Sequence, residues 1–542
     1  MELNAHGVDE ADVRTATANV TAARAWLRFL IPSTCDLVFV LLLLGLAWGT
    51  LAQGLLRDAG IGWHIRTGQL ILGTHSIPHT DPFSSTMQGK AWYAWEWLFD
   101  AVVGMAHHLA GLNGVVFCSA LVIALTFALL LRRMLARGAN LPVAILVLLL
   151  AVAASSVHLF ARPHVLSWLF TIVWWEILER FEENGQTVNL LWLPVLTLLW
   201  VNAHGGFLVG FVLLAIYFAS AVMQWIATVD DEGGGLAQRV KALALAGVLS
   251  FAASFANPYG YRLHIHIYRY LTDRFLMDHI DEFLSPNFHG MGQKCFAVLV
   301  LLALIAAAMA HRKVGLSHLL VMLFAIYAGL YAARNIPVSA ILLGLTVAPL
   351  VSGSLSGITG NRELASGVRW LAGRIDSFGI RMAALDSKLR GHVWPVATVL
   401  LGLWVCGHGG RLAGAQVMDD HFDGTRFPVG AVDFLERSGA REPVFCPDRW
   451  GGYLIYRLYP ETQVAVDDRH DFYGTEFLKR YLKIMHGEPG WESELEGMHV
   501  GWVMVPAQST LASLLEEETR RWEVAYRDDT AVVFRSGRGS PP

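Results

Sequence analysis

Apolar runs close to the roughly 20 residues needed to cross a bilayer core recur along this chain, and the clearest, Leu37 to Leu56, contains no charged residue. Eleven such runs are read, near 37–56, 113–131, 142–157, 165–178, 188–201, 207–226, 242–256, 295–310, 316–332, 336–351 and 393–408. Composition points the same way. The chain is 54% hydrophobic and 16% charged, whereas a soluble globular chain carries about 25% charged residues. A soluble protein with buried core helices would need far more polar sequence between the runs. The expected fold class is therefore mostly α, a polytopic α-helical membrane protein of about 11 transmembrane helices.

Orientation follows from Lys and Arg, which concentrate on the cytoplasmic side of membrane proteins. Arg14, Arg24 and Arg28 precede the first run, and Arg132, Arg133 and Arg137 follow the second. Arg239, Lys241, Arg312 and Lys313 fall in later loops of the same parity, and Arg362, Arg369, Arg374, Arg381, Lys388 and Arg390 follow the tenth run. Spans in alternation put all of these inside, with a cytoplasmic N-terminus and an external C-terminal portion. The first run is too long for a cleaved signal and no small-residue cleavage site follows it; it reads as an uncleaved span.

Three parts are expected: a cytoplasmic N-terminal segment (1–33), a transmembrane domain (34–410) and an external α/β domain (411–542). In the last part, Phe427 to Arg437, Trp450 to Leu458, Glu476 to Met485 and Thr510 to Glu518 read as helices. Pro443 to Cys446, Val464 to Val466 and Val500 to Val505 read as strands, and Trp522 to Tyr526 with Ala531 to Arg535 as a hairpin. The chain has five cysteines, without a CxxC pair, so neither a disulfide framework nor a zinc site of that type is indicated. No nucleic-acid motif is present.

The unusual polar clusters fall on one predicted side, the external one. The loop 57–97 carries Asp58, then Trp63-His64-Ile65-Arg66, Ile77-Pro78-His79-Thr80-Asp81-Pro82-Phe83-Ser84 and Trp92-Tyr93-Ala94-Trp95-Glu96-Trp97. A carboxylate at a membrane boundary can deprotonate an acceptor hydroxyl or hold a divalent metal. Asp58, Asp81 and Glu96 are the candidates. The plainer alternatives are helix capping for Asp58 and a proline turn for Asp81. The nearby Trp and Tyr residues suit an interfacial belt better than a sugar-stacking platform. Other external turns add Arg162 and His164, Asn202 and His204, Asn257, and Arg334 with Asn335. Ionisable groups at membrane depth are costly unless compensated, and arginine suits bidentate phosphate binding. Arg66, Arg162, Arg262 and Arg334 are thus candidate cradles for a lipid phosphate, against simple snorkelling to headgroups. His204 serves equally well as an interhelical hydrogen bonder. Leu263 to Met277 is amphipathic and suits the interface plane. The Asp467-Asp468-Arg469-His470-Asp471 run is balanced between a site and a solvated turn.

These loop motifs resemble those of bacterial polytopic proteins related to the GT-C glycosyltransferases, as do Trp200-Val201-Asn202-Ala203-His204-Gly205-Gly206, Asn257-Pro258-Tyr259-Gly260, Trp450-Gly451-Gly452-Tyr453-Leu454 and Val466-Asp467-Asp468-Arg469. The resemblance covers most of the chain. It implies a GT-C-like membrane domain in the bacterial inner membrane, with the C-terminal domain periplasmic or extracellular. It further implies transfer of a sugar from a polyprenyl-phosphate carrier to an envelope glycan, lipid or protein. Asp58 matches the first-loop catalytic acid by position. His64, Arg66, Arg162, His164, Asn202, His204, Asn257 and Arg334 are the substrate-binding candidates. The usual adjacent acidic pair is absent from that loop, which leaves a second acidic role to Asp81 or Glu96 and leaves a divalent metal open; no other cofactor is indicated. Two other classes stand beside this one: a lipid or glycan flippase, which would favour broken helices and polar mid-span residues, and a non-catalytic envelope scaffold.

Overall fold

The computed structural model describes residues 28–48, 51–228, 234–310, 313–361 and 364–537. Arg14, Arg24, Arg312 and Arg362, used above for orientation, lie outside the described residues.

The apolar runs fall on helices, except that the first, read as 37–56, has its helix end at Ala47, with the short helix Ala52–Leu55 beyond it. Among the described residues seven helices are long and apolar enough to cross a membrane, among them Trp97–Ala136, Phe207–Ala227 and Met291–Ala308, while Thr187–Val201, Leu316–Tyr331 and Val393–Gly407 are shorter apolar helices. The run at 165–178 lies inside the 21-residue helix His164–Asn184. Starts are set by local chemistry. Ser33 and Asp36 form a reciprocal capping box at Thr34–Ala47, and the Asn140 side chain accepts from Val143 N beside a proline in the first turn, each satisfying donors a helix start leaves open. Trp97–Ala136 is 40 residues long and breaks at Ala110 and Gly111, where Gly111 has φ of 60°. The expected span 113–131 is its second half. The first half packs on the helix Ile61–Thr74, so closely that a Cβ at Gly68 would collide with the Asp100 carbonyl. Residues 353–360 form the end of the helix Ile336–Gly360. Trp168, Trp174, Trp175 and Trp200 are fully buried between the helices.

The C-terminal portion builds a four-stranded sheet, in the order Val444–Phe445, Trp502–Pro506, Ala531–Ser536, Trp522–Arg527. The first pairing is parallel and the other two antiparallel. The helices Val429–Ser438, Asp448–Leu458, His470–His486 and Thr510–Glu517 accompany it. Val464 to Val466 makes isolated bridges rather than a full strand, and one of them joins Val464 to Ser84 of the loop 57–97. Ser85 N donates to Val464 O at 2.9 Å and Thr86 Oγ1 to Ala465 O at 2.6 Å. The loop is thereby stitched to the edge of the tail. The glycine pair Gly451-Gly452 serves the same contact: a Cβ on Gly452 would strike the Ala59 carbonyl, and one on Gly451 the Val466 carbonyl.

Charge fixes the joint. Arg469 is buried between Asp81 of the loop, at 2.8 Å, and Asp467, at 2.7 Å. Its guanidinium also lies 4.7 Å from the Trp92 ring centroid and 5.3 Å from that of Phe83. Removing one partner of a buried ion pair leaves uncompensated charge, which costs about 3–5 kcal/mol. Arg469→Met strands two carboxylates. We expect it to destabilise the joint by that order and to open the tail to limited proteolysis, with thermal unfolding of the detergent-solubilised chain as the check.

Candidate functional site

The helix ends named by the sequence motifs converge on one cavity of about 1060 Å³. Asp58 reaches it from the start of the loop 57–97 and Glu96 from the turn that starts Trp97–Ala136. Arg162 and His164 enter at the start of His164–Asn184, His204 just before Phe207–Ala227, and Arg334 at the turn preceding Ile336–Gly360. The tail roofs it with Asp448, Asp468, His470 and Asp471. A second, mostly apolar pocket of about 390 Å³ lies at Trp192 and Arg133 and shares none of these residues.

Arg162 is the centre of the charge arrangement. Its Nη1 lies 3.0 Å from Asp58 Oδ2 and its Nη2 3.0 Å from Asp468 Oδ2. Asp58 is held in turn by the backbone N–H of Gly60, at 2.8 Å, and Asp468 by Trp63 Nε1, at 2.9 Å. Burial opposes the Arg162 charge, yet the two carboxylates outweigh it and hold its pKa above the ordinary value. Burial raises Asp468 to about 6 even against the pull of Arg162. Across the cavity Arg334 pairs with Glu282 at 3.1 Å. Burial disfavours the Glu282 anion, but the Arg334 guanidinium prevails and holds it down at about 2.

Glu96 behaves differently. It is buried, 3.6 Å from His204 Nε2 and 3.8 Å from His64 Nε2, and no guanidinium touches it. Desolvation lifts it to about 8 despite the more distant Arg162 charge. The flanking imidazoles are neutral. Burial and the fields of Arg334 and Arg162 lower His204 to about 3, and burial with the Arg162 charge holds His64 well below its ordinary value. His204 Nδ1 meets Ser167 Oγ at 2.7 Å; His64 Nδ1 meets Asp100 Oδ1 at 2.6 Å. The result is a protonated carboxyl between two oriented, uncharged rings.

The sequence candidates therefore separate. Asp58, Glu96, Arg162, His164, His204 and Arg334 line the cavity. His64 sits behind Glu96. Arg66 turns away and donates from Nε to Tyr456 O at 2.8 Å. Asn202 ties helices together, accepting from Trp97 Nε1 at 2.7 Å and donating to Ala256 O at 2.9 Å. Asn257 closes its own turn through Tyr259 N at 2.9 Å. Asp81 is consumed by Arg469, Phe83 N and Ser84 N. Trp92, Tyr93 and Trp95 line the cavity rather than forming a surface belt.

Residues left undecided or unnamed by the sequence complete the site. The 467–471 run is no solvated turn: Asp467 and Arg469 are buried, and Asp468, His470 and Asp471 face the cavity. Its burial is signalled by the flanking Val466, Phe472 and Tyr473. Asp448, 2.8 Å from His470 Nε2, and Glu282 carried no such signal. Among the described residues no group of three or more His, Cys, Asp and Glu side chains is placed to hold a metal. The cation between Asp58 and Asp468 is a guanidinium, so this donor set does not fit a divalent ion.

No family model matches the chain, and no curated protein does. The solved structures similar to it include the following two. One is the Archaeoglobus fulgidus oligosaccharyltransferase tethered to an acceptor peptide containing an NVT sequon, at TM-score 0.48 and 11% identity over 93% of this chain and 74% of that one. The other is ArnT from Cupriavidus metallidurans in the apo state, at TM-score 0.46 and 15% identity over 95% and 98%.

Glu96 holds its proton at neutral pH and releases it near pH 8. The infrared difference between wild type and Glu96→Gln is expected to carry a protonated-carboxyl band that persists below pH 8 and fades above it. A band already lost near the ordinary carboxyl value of 4.5 would contradict the assignment.

Proposed function

We propose that the chain is an integral-membrane glycosyltransferase. It moves a sugar from a polyprenyl-phosphate carrier to an envelope acceptor, whether glycan, lipid or protein, on the external face of a bacterial inner membrane. The observation that carries this reading is Arg162, suspended between Asp58 and Asp468 in a large cavity at the ends of apolar helices. Arg334 faces the same space. Guanidinium groups recognise phosphate through planar, charge-assisted pairs, and the apolar helices below suit a carrier's hydrocarbon tail.

The phosphate of the donor competes with Asp58 and Asp468 for Arg162. As it takes the guanidinium, Asp58 loses its counter-charge and becomes a stronger base. Asp58 then accepts the proton of the acceptor hydroxyl while that oxygen bonds the anomeric carbon. The bond from the anomeric carbon to the phosphate oxygen breaks, and its electron pair leaves with the phosphate. Arg162 and Arg334 hold the departing anion. That anion is stable and needs no proton. Glu96, still protonated, donates a hydrogen bond to a sugar hydroxyl, and the neutral His204 orients it. Asp81 has no part in the reaction, because Arg469 and the turn it closes take up its oxygens.

The test is transfer from a panel of radiolabelled polyprenyl-phosphate sugars in proteoliposomes. Wild type is expected to transfer from at least one donor. Asp58→Asn is expected to lower kcat by roughly 100- to 10,000-fold, the usual contribution of a general base, with donor KM little changed. Arg334→Gln is expected to raise donor KM. Equal transfer by wild type and Asp58→Asn would remove the base from this account, and no transfer from any donor would leave lipid transport or a scaffold as the function.

A further inference from the structure

The cavity occupies one end of the helical bundle; the other end carries a feature the reaction does not use. Ile336–Gly360 starts beside the cavity and runs for 25 residues, roughly 37 Å at about 1.5 Å per residue. The next helix, Ser366–Asp386, follows at its far end. It therefore lies on the opposite face of the bundle, beside the start of the first apolar helix.

This helix is held firmly by one side. Asp376 accepts from Ser356 Oγ at 2.8 Å, and Asp386 accepts from Thr34 N at 2.6 Å and Thr34 Oγ1 at 2.7 Å. Gly379 packs so closely on Asn140 that a Cβ would come within 2.7 Å of the Asn140 side chain. Its two acidic residues are both spent on anchoring. A second side is uncovered. Leu371, Ile375, Phe378, Met382 and Leu385 recur at helical spacing and share one stripe. Leu371, Phe378 and Leu385 are 55%, 51% and 57% exposed. Beside the stripe stand Arg374, with its guanidinium 5.1 Å from the Trp370 ring centroid, and Arg381. Lys388 and Arg390 follow. Among the described residues none of these four cations, nor Arg369, has a carboxylate within ion-pair reach.

We propose that Ser366–Asp386 lies in the plane of the membrane and docks its Leu371–Leu385 stripe into a leaflet of anionic phospholipid. Water is a poor partner for such a stripe, because apolar area left exposed forfeits about 25 cal/mol per Å². The lipid that surrounds the apolar helices is continuous with it. Charge chooses the lipid. Basic residues without counter-ions, interleaved with an aromatic side chain, match the anionic headgroup layer at the edge of the hydrocarbon. The anchored side then sets the depth at which the bundle sits, independently of the chemistry at the cavity.

The test uses the full-length chain in nanodiscs of phosphatidylcholine with or without phosphatidylglycerol. Nitroxides are attached at Leu371→Cys, Phe378→Cys and, on the polar side, Ser377→Cys. The unsubstituted chain, whose five cysteines are buried or half-buried, supplies the background. Labels at 371 and 378 are expected to be reached by oxygen and shielded from a water-soluble nickel chelate, with the reverse at 377. Arg374→Gln combined with Arg381→Gln is expected to weaken the preference for spin-labelled phosphatidylglycerol over phosphatidylcholine by on the order of tenfold, from about 1 kcal/mol per basic residue at an anionic surface. Access of the nickel chelate to 371 and 378, dipolar broadening between labels on two copies, or an unchanged lipid preference in the double variant would each overturn the proposal. Both nitroxide positions are on the uncovered side, so their substitution leaves the anchoring contacts in place.

Discussion

Arg162 is the constraint on which the rest of the site depends. Arg162 is half-buried, and a guanidinium taken partly out of water needs counter-charge, since desolvating an ion is expensive. The counter-charge comes from two separate parts of the chain, Asp58 in the loop 57–97 and Asp468 in the tail. The pairing thus couples the position of the tail to the integrity of the cavity, and it leaves the cavity with a cation whose partners an arriving anion can displace.

A second arginine, this one buried, does the mechanical work. Arg469 joins the same loop and tail through Asp81 and Asp467, next to glycines at which the backbones touch. Asp468, which faces the cavity, lies directly between Asp467 and Arg469, which are buried on either side of it. Alternate residues in one short segment thus serve the joint and the site, which is why the tail is part of the cavity rather than an appendage. Away from both, the charges differ in kind. Glu96 is held protonated by burial, whereas Glu282 is held ionised by Arg334. Two carboxyl groups in one cavity therefore occupy opposite states at neutral pH, the condition under which one site can present both a hydrogen-bond donor and fixed charge.

The helical framework was legible because hydropathy reports it directly: the apolar runs lie on helices, although the first, read as 37–56, leaves its helix at Ala47. The strands and helices of the tail followed from period and turn residues, apart from Val464 to Val466, where pairing to the first loop replaces a regular strand. The candidate site was half legible. Arg162, His204 and Arg334 stand out because charge or amide groups at the ends of apolar runs are rare and conspicuous. Arg66 and Asn202 look the same in sequence but bond to backbone carbonyls. Nothing local distinguishes an arginine that faces a cavity from one that reaches a carbonyl 390 residues away. Asp81 misled for a related reason, since its partner Arg469 is in the tail. Of the tail carboxylates, those of the 467–471 run were left undecided and Asp448 was missed; a charged run reads as solvated unless its packing partner, here the loop 57–97, is known.

The account stands or falls on Arg162 as the phosphate-binding group. The most direct measurement is the affinity of the full-length chain in nanodiscs for a short-chain polyprenyl phosphate that carries no sugar, in wild type and in Arg162→Gln. With no sugar to transfer, binding reports the phosphate contact alone. The account predicts a loss of at least about tenfold in Arg162→Gln, the order expected for removing a charged hydrogen bond worth roughly 1.5–3 kcal/mol. Equal affinity in the two proteins would contradict it.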